Sequence, residues 1–335
     1  MDRPFMAGPA QEIKHGKRHR AEQQSMQCFL LGTGGMMPMP HRRLSSVLVR
    51  TELQDYLLDA GEGIQVSFKE LGLGIKRLAV VAITHLHADH CLGLPGILML
   101  RSQVEQASGL TIVGPVGIKR FVEHVRSDLR SRITFPIRYV ELRPNENTAV
   151  ALKNDDITLS WAKLNHSVDC VGYRLQEPSR PGRFHPERAS ALGVPQGPLW
   201  GRLQHGDDVE TQDGRIIRPN DVMGHTRRGR SLAFATDTRP CPGLDQTIWQ
   251  ADLAFVEGMF MASDKALAKE KYHMTVIEAA TAAKRAQVRR LVLTHISPRY
   301  ANAERRTLQD QARTVFPGAI VGRDLQDFVI PMPED

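Results

Sequence analysis

The chain has 335 residues, 41% hydrophobic and 24% charged, with 44 Lys and Arg against 37 Asp and Glu for a formal charge of +7. This composition excludes a wholly disordered chain, and no run approaches the ~20 apolar residues that a membrane span requires. The cationic excess has the sign that suits a polyanionic partner.

Residues 1–26 carry Lys14, His15, Lys17, Arg18, His19 and Arg20 without an apolar stretch, which reads as a basic, disordered extension and not as a secretory leader. Strand-length apolar runs follow at 28–31, 46–50, 56–58, 78–83 and 110–113, the second and third forming a hairpin across 51–55. Asp59-Ala60-Gly61-Glu62-Gly63 turns the chain into an amphipathic helix with Ile64, Phe68 and Leu71 at helical spacing, and 92–104 reads as another helix. Short strands are expected at 137–142, 148–152, 157–162 and 171–175. Six prolines with many glycines and arginines break the rhythm from 178 to 229. Regular elements return as strands at 231–235, 253–256, 291–293 and 328–330 and helices at 276–286 and 303–315. Two halves, each supplying strands and then helices, predict an α/β sandwich of two sheets with helices outside, one domain over 27–335 with a long insertion. Cys28, Cys91, Cys170 and Cys241 lie far apart without a CxxC pair, so free thiols in a reducing cytoplasm are expected.

The chemistry concentrates in Thr84-His85-Leu86-His87-Ala88-Asp89-His90, which directly follows a buried strand. His85 and His87 are two residues apart, so in extended backbone they face one side and can grip one ion. Asp89 and His90 follow where a helix begins and can reach a second. Imidazole and carboxylate are the ligands of catalytic zinc. Further ligand-type residues stand just past apolar runs: His166, Asp237 and His295. A shared site at one edge of a sandwich requires such an arrangement.

This HxHxDH heptapeptide, with a later His, Asp and His in that order, resembles the metallo-β-lactamase superfamily. More narrowly, the chain is similar to the ribonuclease Z family of tRNA 3′-processing endonucleases. Carrying that match are Phe29-Leu30-Leu31-Gly32-Thr33-Gly34, Asp59-Ala60-Gly61-Glu62-Gly63, Gly93-Leu94-Pro95-Gly96, Gly172-Tyr173-Arg174, Asp237-Thr238-Arg239 and Leu293-Thr294-His295-Ile296-Ser297-Pro298-Arg299-Tyr300. The resemblance implies an αββα sandwich of two mixed sheets flanked by helices. It also implies two zinc ions, with manganese or iron as alternatives: one on His85, His87 and His166, the other on Asp89, His90 and His295, Asp237 bridging. Asp89 would orient or deprotonate the nucleophile, His273 would protonate the leaving 3′-oxygen, and Glu257 would orient His273. An arm gripping RNA would be inserted at about 178–206, with Arg180, Arg183, Arg188 and Arg202 as contacts and Arg299 a further one.

The implied activity is zinc-dependent endonucleolytic removal of the 3′ trailer from precursor tRNA by two-metal hydroxide attack, leaving a 3′-hydroxyl, in a cytoplasmic homodimer without membrane attachment. A metal-dependent phosphodiesterase acting on small diesters or other RNA with the same site is the alternative. Ala88 stands where the family commonly has glycine, Glu257-Gly258-Met259-Phe260 replaces acid-Ala-Thr-Phe, and Ala235-Thr236 replaces a small-Gly pair, which marks a divergent branch. The methionine-rich Gly34-Gly35-Met36-Met37-Pro38 reads as a packed turn.

Overall fold

The computed structural model describes residues 26–143 and 148–333, so the basic extension expected at 1–26 lies outside the described residues except for Met26. Sixteen strands are described: β1 (Met26–Gly32), β2 (Ser46–Arg50), β3 (Asp55–Leu58), β4 (Leu78–Ala82), β5 (Leu110–Pro115), β6 (Ile137–Leu142), β7 (Thr148–Lys153), β8 (Thr158–Lys163), β9 (Val171–Gln176), β10 (Val209–Glu210), β11 (Ile216–Ile217), β12 (Ser231–Ala235), β13 (Leu253–Glu257), β14 (Leu291–Thr294), β15 (Ile320–Val321) and β16 (Gln326–Ile330). They form one seven-stranded sheet in the order β16-β1-β2-β3-β4-β5-β6, another in the order β15-β14-β13-β12-β9-β8-β7, and the small ribbon β10-β11. Both large sheets are mixed. Strands β3 to β6 run parallel, as do β12 to β15, while the remaining neighbours are antiparallel.

The apolar runs are continuous because both faces of these strands are covered. On β12, Leu232 and Phe234 enter the core between the sheets, where they meet Val49, Tyr56 and Leu58. Ala233 and Ala235 alternate to the outer face and pack with Ala279, Ala280 and Ala283 of the helix Val276–Arg285. Small residues on both partners let that helix approach closely. On the opposite side, the helices Ile64–Glu70, Leu94–Arg101 and Ile118–Asp128 cover the first sheet through Phe68, Ile97 and Val122. The layers are therefore helix, sheet, sheet, helix, as expected.

Two local readings change. The helix expected over 92–104 spans only Leu94–Arg101, and a separate short turn Ala88–Cys91 precedes it. Gly93 lies at the break against the Gly61 carbonyl, where a Cβ would come within 2.0 Å of the oxygen. The insertion between β9 and β12 also reaches beyond residue 206. Its own core gathers Ala189, Val194, Leu203, Val209, Ile217 and Val222, and an Arg230–Glu177 ion pair of 2.6 Å closes its base.

Candidate metal centre

Strand ends build the site. Asp59 follows β3, the heptapeptide follows β4, His166 stands beyond β8, Asp237 beyond β12 and His295 directly after β14. Asp59, Asp237 and His295 leave their strands with φ of 56°, 47° and 55°, the left-handed region. Asp and His are among the side chains more often found there, and such clustering of sparsely populated backbone is a mark of functional sites.

The seven ligand candidates converge in two groups that share Asp237. Asp237 Oδ2 lies 3.6 Å from His85 Nε2 and 3.8 Å from His166 Nε2, while His87 Nδ1 is 3.0 and 3.3 Å from those two nitrogens. Asp237 Oδ1 lies 3.3 Å from His90 Nε2 and 3.2 Å from His295 Nε2, and Asp89 Oδ2 is 3.5 and 3.3 Å from the same pair. Four donors at ~2.0–2.1 Å around a tetrahedral zinc would stand about 3.4 Å from one another, so both groups have the size of a zinc shell.

Proton bookkeeping also fits a cation. The Asp59 carboxylate accepts Nδ1–H of His90 at 2.7 Å and the Thr84 hydroxyl at 2.9 Å. The Thr84 oxygen can then accept Nδ1–H of His85 at 3.1 Å, and the Tyr272 carbonyl accepts Nδ1–H of His166 at 3.2 Å. These partners occupy Nδ1 of His85, His90 and His166 and leave the three Nε2 atoms facing inward. Burial holds His85, His87 and His166 below the usual imidazole range, so they favour the neutral, ligating form. Burial alone would raise the Asp237 pKa, but the surrounding His295, His90 and His85 hold it well below the carboxylate range. His90 is the exception: burial opposes its charge, but Asp237 and Asp59 hold its pKa well above the imidazole range, so a metal ion at Nε2 would take the place of a proton.

Beside these groups, His273 stacks on His295 with ring centroids 5.4 Å apart. Its Nδ1 lies 3.2 and 3.3 Å from the two Glu257 oxygens, which leaves Nε2 for the cleft. Glu257 is itself fixed by the backbone N–H groups of Thr238 and Met274. Burial opposes charge on His273, yet the adjoining Glu257 carboxylate outweighs it and pushes the pKa up to about 9. A carboxylate-paired imidazole thus stands at the edge of the donor cluster.

The cleft above has a volume of about 460 Å³ and an apolar wall of Met36, Met259, Phe260, Leu267 and Pro298. Arg299 stands at it, 5.9 Å over the Phe260 ring and 2.9 Å from Asp264. Of the arm arginines, Arg183, Arg188 and Arg202 are exposed. Arg180 instead sits half-buried at the base, its backbone paired with Arg227. The four do not gather into one cluster with the metal donors.

The methionine-rich turn is not packed: Met36 and Met37 are 60% and 52% exposed. Its backbone does the anchoring, with Met36 N–H donating to Asp89 Oδ2 at 2.6 Å and Gly35 N–H to the Ile296 carbonyl at 3.3 Å. Gly35 leaves room for a ligand, because a Cβ there would come within 2.4 Å of the His295 ring. Asp59 and Gly35 support the donor cluster from positions that their own sequence context leaves looking like turn residues. Thr236 is another, its hydroxyl donating to Asp237 Oδ1.

An αββα sandwich with a histidine–aspartate centre at one edge defines a metallo-β-lactamase-fold protein. A family model described as a beta-lactamase superfamily domain matches residues 202–296, and one described as anti-Pycsar protein Apyc1 matches 26–126. Ribonuclease Z of Treponema denticola is 44% identical over 300 residues, covering 90% of this chain and 96% of that protein. Ribonuclease Z of Treponema pallidum is 42% identical over 300 residues, with the same coverage of 90% and 96%. The structure of human tRNase Z, short form, superposes with a TM-score of 0.66 at 24% identity, covering 91% of this chain and 100% of that one. The chain belongs to the ribonuclease Z family.

Proposed function

We propose that this protein is a zinc-dependent endoribonuclease that removes the 3′ trailer from precursor tRNA and leaves a 3′-hydroxyl. The observation that carries the reading is a complete set of seven donors, with the His273–Glu257 pair beside it, in a chain 44% identical to a ribonuclease Z. His85, His87 and His166 would hold one ion, Asp89, His90 and His295 the other, with Asp237 shared. Bound there, the ions would supply Lewis acidity and a nucleophile at neutral pH. Asp89 orients that nucleophile and His273 gives its proton to the leaving ribose oxygen. Manganese and iron accept the same donor types.

The test is cleavage of a 3′-extended precursor tRNA beside hydrolysis of bis(p-nitrophenyl) phosphate, each with and without chelator. Chelator-sensitive cutting after the discriminator base is expected, with a 3′-hydroxyl on the product. Chelator-sensitive turnover of the small diester alone would move the protein to the phosphodiesterase reading.

Gly35→Ala should thin the second ion shell by displacing His295. Metal analysis of the purified variant should give about one ion per chain in place of two, and two retained ions would refute that assignment. The inserted segment supplies the RNA grip. Replacing residues 179–228 by a short glycine linker, inside the Glu177–Arg230 clamp, should impair tRNA cleavage at least tenfold and leave the small diester within twofold. Equal losses on the two substrates would remove that role.

The described residues contain no helix long and apolar enough to cross a membrane, and all four cysteines are free. Free thiols support a reducing, cytoplasmic setting. Exposed Val66 and Met99 give the helices Ile64–Glu70 and Leu94–Arg101 an apolar outer surface, and Leu92 is exposed just before the second, which supports a homodimer.

A further inference from the structure

A second cationic site lies on the same edge of the sandwich as the metal centre. A cavity of about 410 Å³ is lined by Thr33, His41, Arg42, Asn302, Arg305 and Arg323 among others. Its place follows from the topology. Strands β14 and β15 are parallel neighbours with Leu293 paired to Val321. His295 and Arg323 each stand two residues beyond that pair, and adjacent strands lie only ~4.8 Å apart. Ile296, directly after the ligand His295, is part of the cavity wall.

The charges of Arg305 and Arg323 have no ion-pair partner among the described residues. Arg42 is committed, donating to the Ser297 and Tyr300 carbonyls at 2.9 Å each. Asp324 spends its oxygens on the Thr33 hydroxyl at 2.7 Å and the Arg43 N–H at 2.6 Å. Burial and the neighbouring Arg323 and Arg42 charges press the Arg305 pKa below its usual value. Asp324 also lines the cavity and, with Glu304, acts on Arg42, but three arginines and His41 face that one lining carboxylate, and a further anion would relieve the remaining repulsion. An adjoining groove of about 450 Å³ has Arg305, Arg306, Arg313 and Arg323 on its walls together with Asp310, which lies 3.8 Å from Arg306, while Arg313 donates Nε–H to the Ala319 carbonyl.

We infer that Arg305 and Arg323, with His41, form a phosphate subsite that holds the RNA backbone beside the scissile link and leads it along the Arg306–Arg313 groove. The subsite rests on the RNA-cleaving reading above and adds to it a contact surface on the catalytic edge, separate from the inserted arm. Backbone phosphates recur along a chain at a spacing that a row of guanidinium groups can follow, and such contacts position RNA without reading its sequence.

Binding and cleavage test the two readings apart. Binding of a labelled 3′-extended precursor tRNA with a non-hydrolysable scissile link is titrated against zinc-loaded protein at several KCl concentrations. Cleavage of the unmodified precursor by the same protein reads the proposed function. Arg323→Ala, at an exposed position, and Arg305→Ala should each weaken binding about three- to tenfold near 150 mM salt. Each should also lower the slope of log K against log salt by about 0.7–0.9, while turnover of bis(p-nitrophenyl) phosphate stays unchanged. Arg323→Lys should restore most of the slope. Unchanged affinity and slope in Arg323→Ala would overturn the subsite even where the wild type cleaves tRNA. So would an equal loss on the small diester. Absence of cleavage by wild type, with arginine-dependent binding intact, would instead overturn the tRNA-processing activity and leave the subsite standing.

Discussion

Replacing Asp237 with Ala is expected to empty both ion positions and abolish hydrolysis of RNA and small diester alike. Asp237 is the one residue that faces both groups, with Oδ2 toward His85 and His166 and Oδ1 toward His90 and His295. Removing it takes a donor from each shell and also a carboxylate that lies within 3.8 Å of four imidazoles. Loss of a partner that merely orients a ligand already costs about 10–100-fold in metal affinity, so loss of the shared ligand should exceed a hundredfold. Zinc should raise the melting temperature of the wild type by mass action and leave that of the variant almost unmoved. Folding itself should survive, because the packing between the sheets rests on Phe234, Phe255, Tyr173 and their neighbours. A variant that retained two ions and full turnover would sink the shared-ligand assignment.

What could be read before the structure was local in sequence. The strand runs around 46–50, 78–83, 231–235 and 253–256 stand within a residue of β2, β4, β12 and β13, since burial on both faces writes itself as an unbroken apolar run. The heptapeptide was legible for the same reason: its ligands share one strand end. Asp59 was not legible as a site residue, because its hydrogen bond to His90 spans 31 positions and an acid before glycine looks like any turn. The Met36 loop misled in the other direction. Methionines suggest packing, yet here glycine and backbone N–H groups do the anchoring and the side chains stay outside. The extent of the insertion was also hidden, since Val209, Ile217 and Val222 become core only by meeting Ala189 and Leu203 across the chain. Arg305 and Arg323 sit eighteen positions apart and meet only because β15 returns beside β14.

Changing His273 to Ala should separate the two substrates that the Asp237 variant loses together. A ribose 3′-oxygen is a poor leaving group without a proton, whereas p-nitrophenolate departs readily without one. His273 is well placed for that proton: Glu257 lies 3.2 Å from Nδ1, and the ring stacks 5.4 Å from His295 at the edge of the donor cluster. With its pKa pushed up to about 9 against the pull of burial, the imidazole is charged at neutral pH and can act as the acid. General acid catalysis contributes roughly 10²–10⁴-fold, so kcat for precursor tRNA should fall by that order, while bis(p-nitrophenyl) phosphate loses less than tenfold. Metal content should remain at the wild-type level, which distinguishes this loss from ligand damage. Glu257→Gln keeps an acceptor for only one of the Thr238 and Met274 N–H groups, which bond different Glu257 oxygens, and removes the charge facing His273; it should give the same split between substrates, with some added loss of stability. A uniform fall on both substrates, with metal gone, would instead make His273 a ligand. That outcome has a geometric basis, since donor atoms of His273, Asp237 and His295 lie within 4.8 Å of one another.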